Sequence, residues 1–195
     1  MKYILNCLLL ISLFQPINLI ADQERSKLKI AVLYDDEFIL HNTGPNHPEN
    51  PDRLSSVINF LKNDSKLQPN LIWPTFGYES TEVISLVHSK EYIHLVKRES
   101  EKLAESNAKL STGDTVISKY SYQVARKSVG AMTEAVDQMM QGKASSAFVF
   151  SRPPGHHATK DKGMGFCIFN NVAIAAKYLQ KKYGINRILI VDFDV

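Results

Sequence analysis

SAFVFS at residues 146–151, NVAIAAKYLQKKYG at 171–184 and RILIVDFDV at 187–195 together decide the fold class. The first and third are short, almost continuously apolar runs rich in β-branched and aromatic residues, the pattern of strands covered on both faces. The second spaces its apolar side chains as a helix does and stops at Gly184, a residue suited to the left-handed turn that closes helices. Strand, loop, helix and strand in that order predict an α/β fold, a parallel sheet with helices on both faces. The same alternation runs back toward the N-terminus. Leu28–Tyr34 (LKIAVLY) reads as a buried strand, and His41–Asp52, with Gly44 and three prolines, as an irregular loop. A helix starts near Pro51, carrying Leu54, Val57, Ile58 and Leu61 as its apolar stripe. An extended piece follows at Leu71–Phe76, then helical stretches at Thr81–Val87 and Glu91–Glu105, and a long helix from Lys119 to Gln141 that Gly142 ends.

Composition narrows the function classes without choosing one. The 195 residues carry 23 basic and 20 acidic side chains, a net charge of +3 that is too small and too dispersed to argue for a nucleic-acid partner. With 44% hydrophobic and 22% charged residues the chain can build a core and is neither collagen-like nor disordered throughout. No repeat, low-complexity tract or linker divides it.

Residues 1–21 stand apart. Lys2, an apolar run from Ile4 to Ile20, and Ala21 before Asp22-Gln23-Glu24-Arg25 read as a secretory signal peptide cleaved after Ala21. A stable membrane anchor wants about 20 uninterrupted apolar residues, and Asn6, Ser12, Gln15, Pro16 and Asn18 break this run. A buried strand or helix is the structural alternative. Cleavage implies export, a mature chain of residues 22–195, and Cys167 as its only thiol, since Cys7 is removed.

The chemistry gathers near the C-terminal end. Strand side chains alternate, so Asp192 and Asp194 share a face at the carboxyl end of their strand, where open α/β sheets bind ligands. Two carboxylates side by side repel, and a metal ion is the simplest remedy; solvation at a strand end is the bland one. SRPPGHHA at 151–158 turns sharply after two stiff prolines and presents His156 and His157 at the same sheet edge. Such a pair is suited to acid–base work, although surface histidines are common. Gly163-Met164-Gly165-Phe166-Cys167 lets backbone approach a ligand beside an aromatic wall, or is a loop with Phe166 plugged into the core. Cys167 lacks a CxxC partner and reads as a buried, inert thiol. His41 and His47 lie in the proline-rich loop, and His88 and His94 read as structural.

Four stretches in one order, NHPENPDRL at 46–54, RPPGHHA at 152–158, GMGFCIFNN at 163–171 and IVDFDV at 190–195, resemble the zinc-dependent histone deacetylases and their bacterial relatives acting on acetylpolyamines and similar amides. The class II-like branch is nearest, and the likeness runs from about Tyr34 to Val195. It implies an arginase-like three-layer sandwich, a Zn2+ cofactor, and acetylated lysine or acetylpolyamine as substrate. By the same likeness His156 and His157 handle the protons of the attacking water and the leaving amine, Asp192 orients His156, and Asp194 is a zinc ligand. Gly165 and Phe166 line the tunnel for the acyl-lysine stem, and Arg53 lies beneath the site. The family's remaining zinc ligands, a histidine directly after this Asp-Val pair and a later aspartate, and its oxyanion tyrosine are not among these 195 residues. The expectation is therefore an incomplete sheet and an inactive N-terminal portion of a catalytic domain, residues 22–195. Two other readings stand beside it: a non-catalytic acyl-lysine-binding module, and a haloacid-dehalogenase-like phosphatase using Asp192, which leaves RPPGHHA unexplained.

Overall fold

The structure is a computed structural model that describes residues 29–194; the expected export segment, residues 1–21, lies outside them. Five strands, β1 (Ile30–Leu33), β2 (Leu71–Ile72), β3 (Ala108–Lys109), β4 (Val116–Ile117) and β5 (Ser146–Val149), alternate with helices. The helices are α1 (Asp52–Asn63), α2 (Thr81–Ile84), α3 (Lys90–Glu101), α4 (Ser121–Met140) and α5 (Asn171–Tyr183). The main sheet is parallel, in the order β2-β1-β5, with Ile30 level with Leu71 on one side and with Ser146 on the other. β3 and β4 form a separate antiparallel pair.

Local chemistry explains most of the boundaries. Ser80, Ser89 and Asn170 cap α2, α3 and α5 by accepting the backbone N–H of Val83, Tyr92 and Ala173, which satisfies otherwise orphaned donors. Gly142 and Gly184 follow α4 and α5 with φ of +69°, the left-handed conformation that glycine takes without a Cβ penalty. α4 is the spine of the molecule. Val124, Ala131 and Ala135 meet Ala31 and Leu33 of the sheet, Met132 and Val136 meet Ala175 and Leu179 of α5, and Ala125 and Val129 join the cluster of Ile93, Ile168 and Ile174. Each fully buried large apolar side chain contributes roughly 1.5–3 kcal/mol, so this three-way packing anchors everything the loops carry. No helix among the described residues is long and apolar enough to cross a membrane.

One expected element is corrected. Residues 187–194 form no strand ladder among the described residues. Leu189 is 78% exposed, and Ile190, Val191 and Phe193 are exposed as well. A buried strand draws its register from packing on its faces and from a partner's hydrogen bonds; here Ile188 packs against the cluster of Met132, Val136, Ala175 and Leu179, while Leu189, Ile190, Val191 and Phe193 are exposed.

Candidate functional site

The loop that leaves β5 is held from three sides. Arg152, 1% exposed, makes a two-pronged ion pair with Glu49: Nε to Oε1 at 2.5 Å and Nη2 to Oε2 at 2.8 Å. Its Nη1 donates to the Phe38 carbonyl at 3.0 Å, and its own carbonyl accepts from Ser128 Oγ of α4. The Arg152–Pro153 bond is cis. Gly155 is boxed in, since a Cβ there would stand 2.5 Å from the Phe169 carbonyl. Asn170, besides capping α5, donates to the carbonyls of His156 at 3.4 Å and Ala158 at 3.1 Å. The backbone bearing the two histidines is thus fixed to the first turn of α5.

The two imidazoles stand edge to face with ring centroids 4.1 Å apart. His156 Nε2 lies 3.2 Å from Asp194 Oδ2, and His157 Nε2 lies 3.9 Å from the same oxygen. His156 is nearly buried, whereas half of the His157 side chain is exposed. Ligand atoms from all three residues fall within 4.8 Å of one another. Asp192 is exposed, and its Oδ1 accepts the Asp194 N–H at 3.1 Å.

Gly165 and Phe166 both adopt positive φ, +56° and +68°. For phenylalanine this conformation is uncommon and costs energy that the surroundings must supply. Asp114 supplies part of it by accepting the Gly165 N–H at 2.9 Å, and a Cβ on Gly165 would meet His157 Cδ2 at 2.5 Å. Phe166 itself packs edge-on against His47 at 4.6 Å rather than plugging into the core. Arg53 lies with Nη1 3.7 Å from Glu49 Oε1, on the carboxylate that Arg152 clamps.

Buried histidines near this loop are tuned to stay neutral. His41 is fully buried; desolvation first, then the charges of Arg152 and His47, push its pKa down to about 3. Its Nδ1 pairs with Ser121 Oγ at 2.7 Å. His88 is lowered by burial too, and donates from Nδ1 to the Lys160 carbonyl while Nε2 accepts the Asn170 N–H at 2.8 Å. That assigns it a structural role, whereas His94 is exposed on α3. Burial raises the Cys167 thiol to about 12, so it stays protonated.

The structure therefore brings His156, His157 and Asp194 together beside the Gly165–Phe166 wall, and sets Arg53 against Glu49. Sequence reasoning gave no role to Glu49, Arg152, Asp114 or His47. Glu49 and Arg152 carried one usable signal, charged residues inside stretches that otherwise read as packed or rigid. Two imidazole nitrogens and a carboxylate oxygen are a donor set that suits zinc and similar ions, so the residues present fit a metal. They also fit proton transfer, because neutral imidazole can accept or donate near neutral pH.

Comparisons with known proteins agree on one family. The model of the histone deacetylase domain matches residues 47–195. The uncharacterized protein slr0245 of Synechocystis sp. is 39% identical over 174 residues, covering 85% of this chain and 54% of that protein. The polyamine deacetylase HDAC10 of Mus musculus is 37% identical over 149 residues, covering 75% and 22%. The crystal structure of the HDA15 HD domain superposes with a TM-score of 0.72 at 29% identity, covering 80% of this chain and 44% of that one. The chain thus spans about half, or less, of the length of these relatives.

Proposed function

The chain belongs to the histone deacetylase family, and from that premise we propose that it serves a metal-dependent amidohydrolase removing acetyl or other acyl groups from lysine side chains or polyamines. The observation that carries the reading is the meeting of His156, His157 and Asp194 at one point beside a backbone-lined aromatic wall. Zn2+, when bound at Asp194, would polarise the amide carbonyl and acidify water.

The remaining chemistry falls to the chain's own residues. One imidazole accepts the proton of the attacking water and the other donates to the departing amine, both roles that a side chain within hydrogen-bond reach of the reacting group can fill. His156, close to Asp194 and nearly buried, is the better-held of the two, while the exposed His157 can reach the leaving group. Asp192 is proposed to orient His156. Gly165 and Phe166 would grip the aliphatic stem of the substrate, and their fixed backbone limits its sideways freedom. Arg53, through Glu49, would support the floor of the site. Export directed by residues 1–21 is part of the proposal, and N-terminal sequencing of protein recovered outside the cytoplasm should begin at Asp22.

Of the ligand set that the resemblance implies, the described residues supply Asp194. The test is hydrolysis of an acetyl-lysine peptide and an acetylpolyamine by the protein with added zinc. Chelator-sensitive turnover, abolished by His157→Ala, is the expected result. Turnover indifferent to chelator or to His157→Ala would overturn the reading.

A further inference from the structure

His88 belongs to the turn between α2 and α3, not to the loop that follows β5. We propose that His88 is a positioning residue for the deacetylase reaction, a buried neutral imidazole that pins residues 160 and 170 and so holds the backbone of the site in place. The inference rests on the function proposed above and adds a distant residue to it. His88 acts through Asn170 and through the Lys160 carbonyl, not on the substrate.

Three observations carry it. The first is the pair of bonds that the ring makes. A carbonyl oxygen can only accept and a backbone N–H can only donate. Nδ1 therefore carries the proton for the Lys160 carbonyl at 3.1 Å, and Nε2 is bare for the Asn170 N–H at 2.8 Å. Both ring nitrogens are used, and a single tautomer serves. A side chain present only to fill the core needs neither bond.

The second is what lies beyond those two partners. The Asn170 side chain donates to the His156 carbonyl at 3.4 Å and to the Ala158 carbonyl at 3.1 Å, while its oxygen caps α5. Lys160 sits in the tight turn that the Thr159–Lys162 bridge closes, and its carbonyl also accepts the Ser89 N–H at 3.2 Å. One ring thus joins the two ends of segment 160–170.

The third is rigidity. His88 is 2% exposed, and its ring packs 5.4 Å from those of both Tyr92 and Phe169. Tyr92 donates from its hydroxyl to the Ile168 carbonyl at 2.8 Å, and a Cβ on Gly163 would stand 2.6 Å from that hydroxyl. The turn and the first residues of α3 therefore meet the segment at 160, 163, 168 and 170. Burial also lowers the proton affinity of His88, which keeps Nε2 free to accept.

Leucine in place of His88 would keep an apolar filling and delete both bonds. The Asn170 N–H would lose its acceptor, and the amide that reaches His156 and Ala158 would lose its fixed origin. A displacement of about 1 Å caused far from the chemistry can lower turnover by about a hundredfold.

The test pairs His88→Leu with His88→Gln, whose amide can both donate and accept. Two-bond proton–nitrogen spectra of the unaltered protein should show His88 as the Nδ1–H tautomer. In His88→Leu, amide exchange at Asn170 and across residues 156–162 should quicken by roughly five- to tenfold, with the amides of α4 unchanged. Its kcat for an acetyl-lysine peptide should fall by about ten- to a hundredfold while KM stays near that of the parent, and His88→Gln should recover most of both losses. Circular dichroism confirms that the variants keep the fold. Unchanged exchange in a folded His88→Leu, exchange raised equally throughout α4, or an effect confined to KM would each overturn the inference. An Nε2–H tautomer in the unaltered protein would overturn it without any variant. Absence of turnover by the unaltered protein would instead count against the deacetylase reading, and the tautomer and the exchange pattern would then decide the positioning role by themselves.

Discussion

Replacing Glu49 by glutamine should unfold the molecule far more easily than its position in an irregular loop suggests. Glu49 and Arg152 are 2% and 1% exposed, and among the described residues the glutamate is the carboxylate that pairs with that guanidinium. Glutamine keeps the shape and one acceptor but removes the charge, leaving a buried cation without compensation. It also removes the negative charge that lies 3.7 Å from the Arg53 guanidinium. Breaking a buried pair from one side costs about 3–5 kcal/mol, and retention of the hydrogen bonds to Phe38 and to the Glu49 carbonyl places the expected loss near the lower end, about 3 kcal/mol. For a domain of this size roughly 2–4 °C of midpoint accompanies each kcal/mol, so Tm should fall by roughly 6–12 °C. Thermal and urea unfolding followed by circular dichroism measure it. The double replacement Glu49→Leu with Arg152→Met should recover most of the loss, because two apolar side chains need no partner. A Glu49→Gln variant within about 0.5 kcal/mol of the parent, or a double variant less stable than the single, would refute the reasoning.

Two further outcomes follow from buried groups. His41 is neutral in the folded chain and titrates near 3 there, against an ordinary value near 6.5; the unfolded chain therefore binds the extra proton first, and stability should be full above pH 6.5 and fall as pH drops toward 3, by at most about 1.4 kcal/mol per pH unit from this group. Urea midpoints at pH 7, 6 and 5 check the slope, and an identical slope in His41→Gln would refute the assignment. Cys167, whose thiol burial holds near 12, should resist iodoacetamide at pH 8 in the native chain and react once urea unfolds it; fast native labelling, read by mass spectrometry, would contradict its burial.

The RPPGHHA loop shows where reading the chain in one dimension stops. Its two prolines and glycine, and the histidines after them, are visible as a stiff turn presenting two imidazoles. What holds the turn is Glu49, more than a hundred residues earlier, together with Ser128 and Asn170 from two helices. The same holds for Gly165 and Phe166, whose backbone depends on Asp114 and whose ring rests on His47. The apolar run at 187–194 is the opposite case. Its composition is that of a buried strand, yet Leu189, Ile190, Val191 and Phe193 are exposed among the described residues, so composition alone did not produce a ladder.

Legible in the sequence alone were the α/β class, the helices expected near Pro51, over Lys119–Gln141 and over Asn171–Tyr183 with Gly142 and Gly184 closing the last two, and the motif order of the family. These depend on periodicity and capping chemistry acting over a few residues, which any folded context must respect. Only the tertiary structure decided that Arg152 spends its charge on Glu49, that His41 stays neutral, and that His156, His157 and Asp194 meet within 4.8 Å. Those outcomes depend on which loops α4 and α5 bring together, and on the low polarity of the space between them, where a charge is stable only beside its partner.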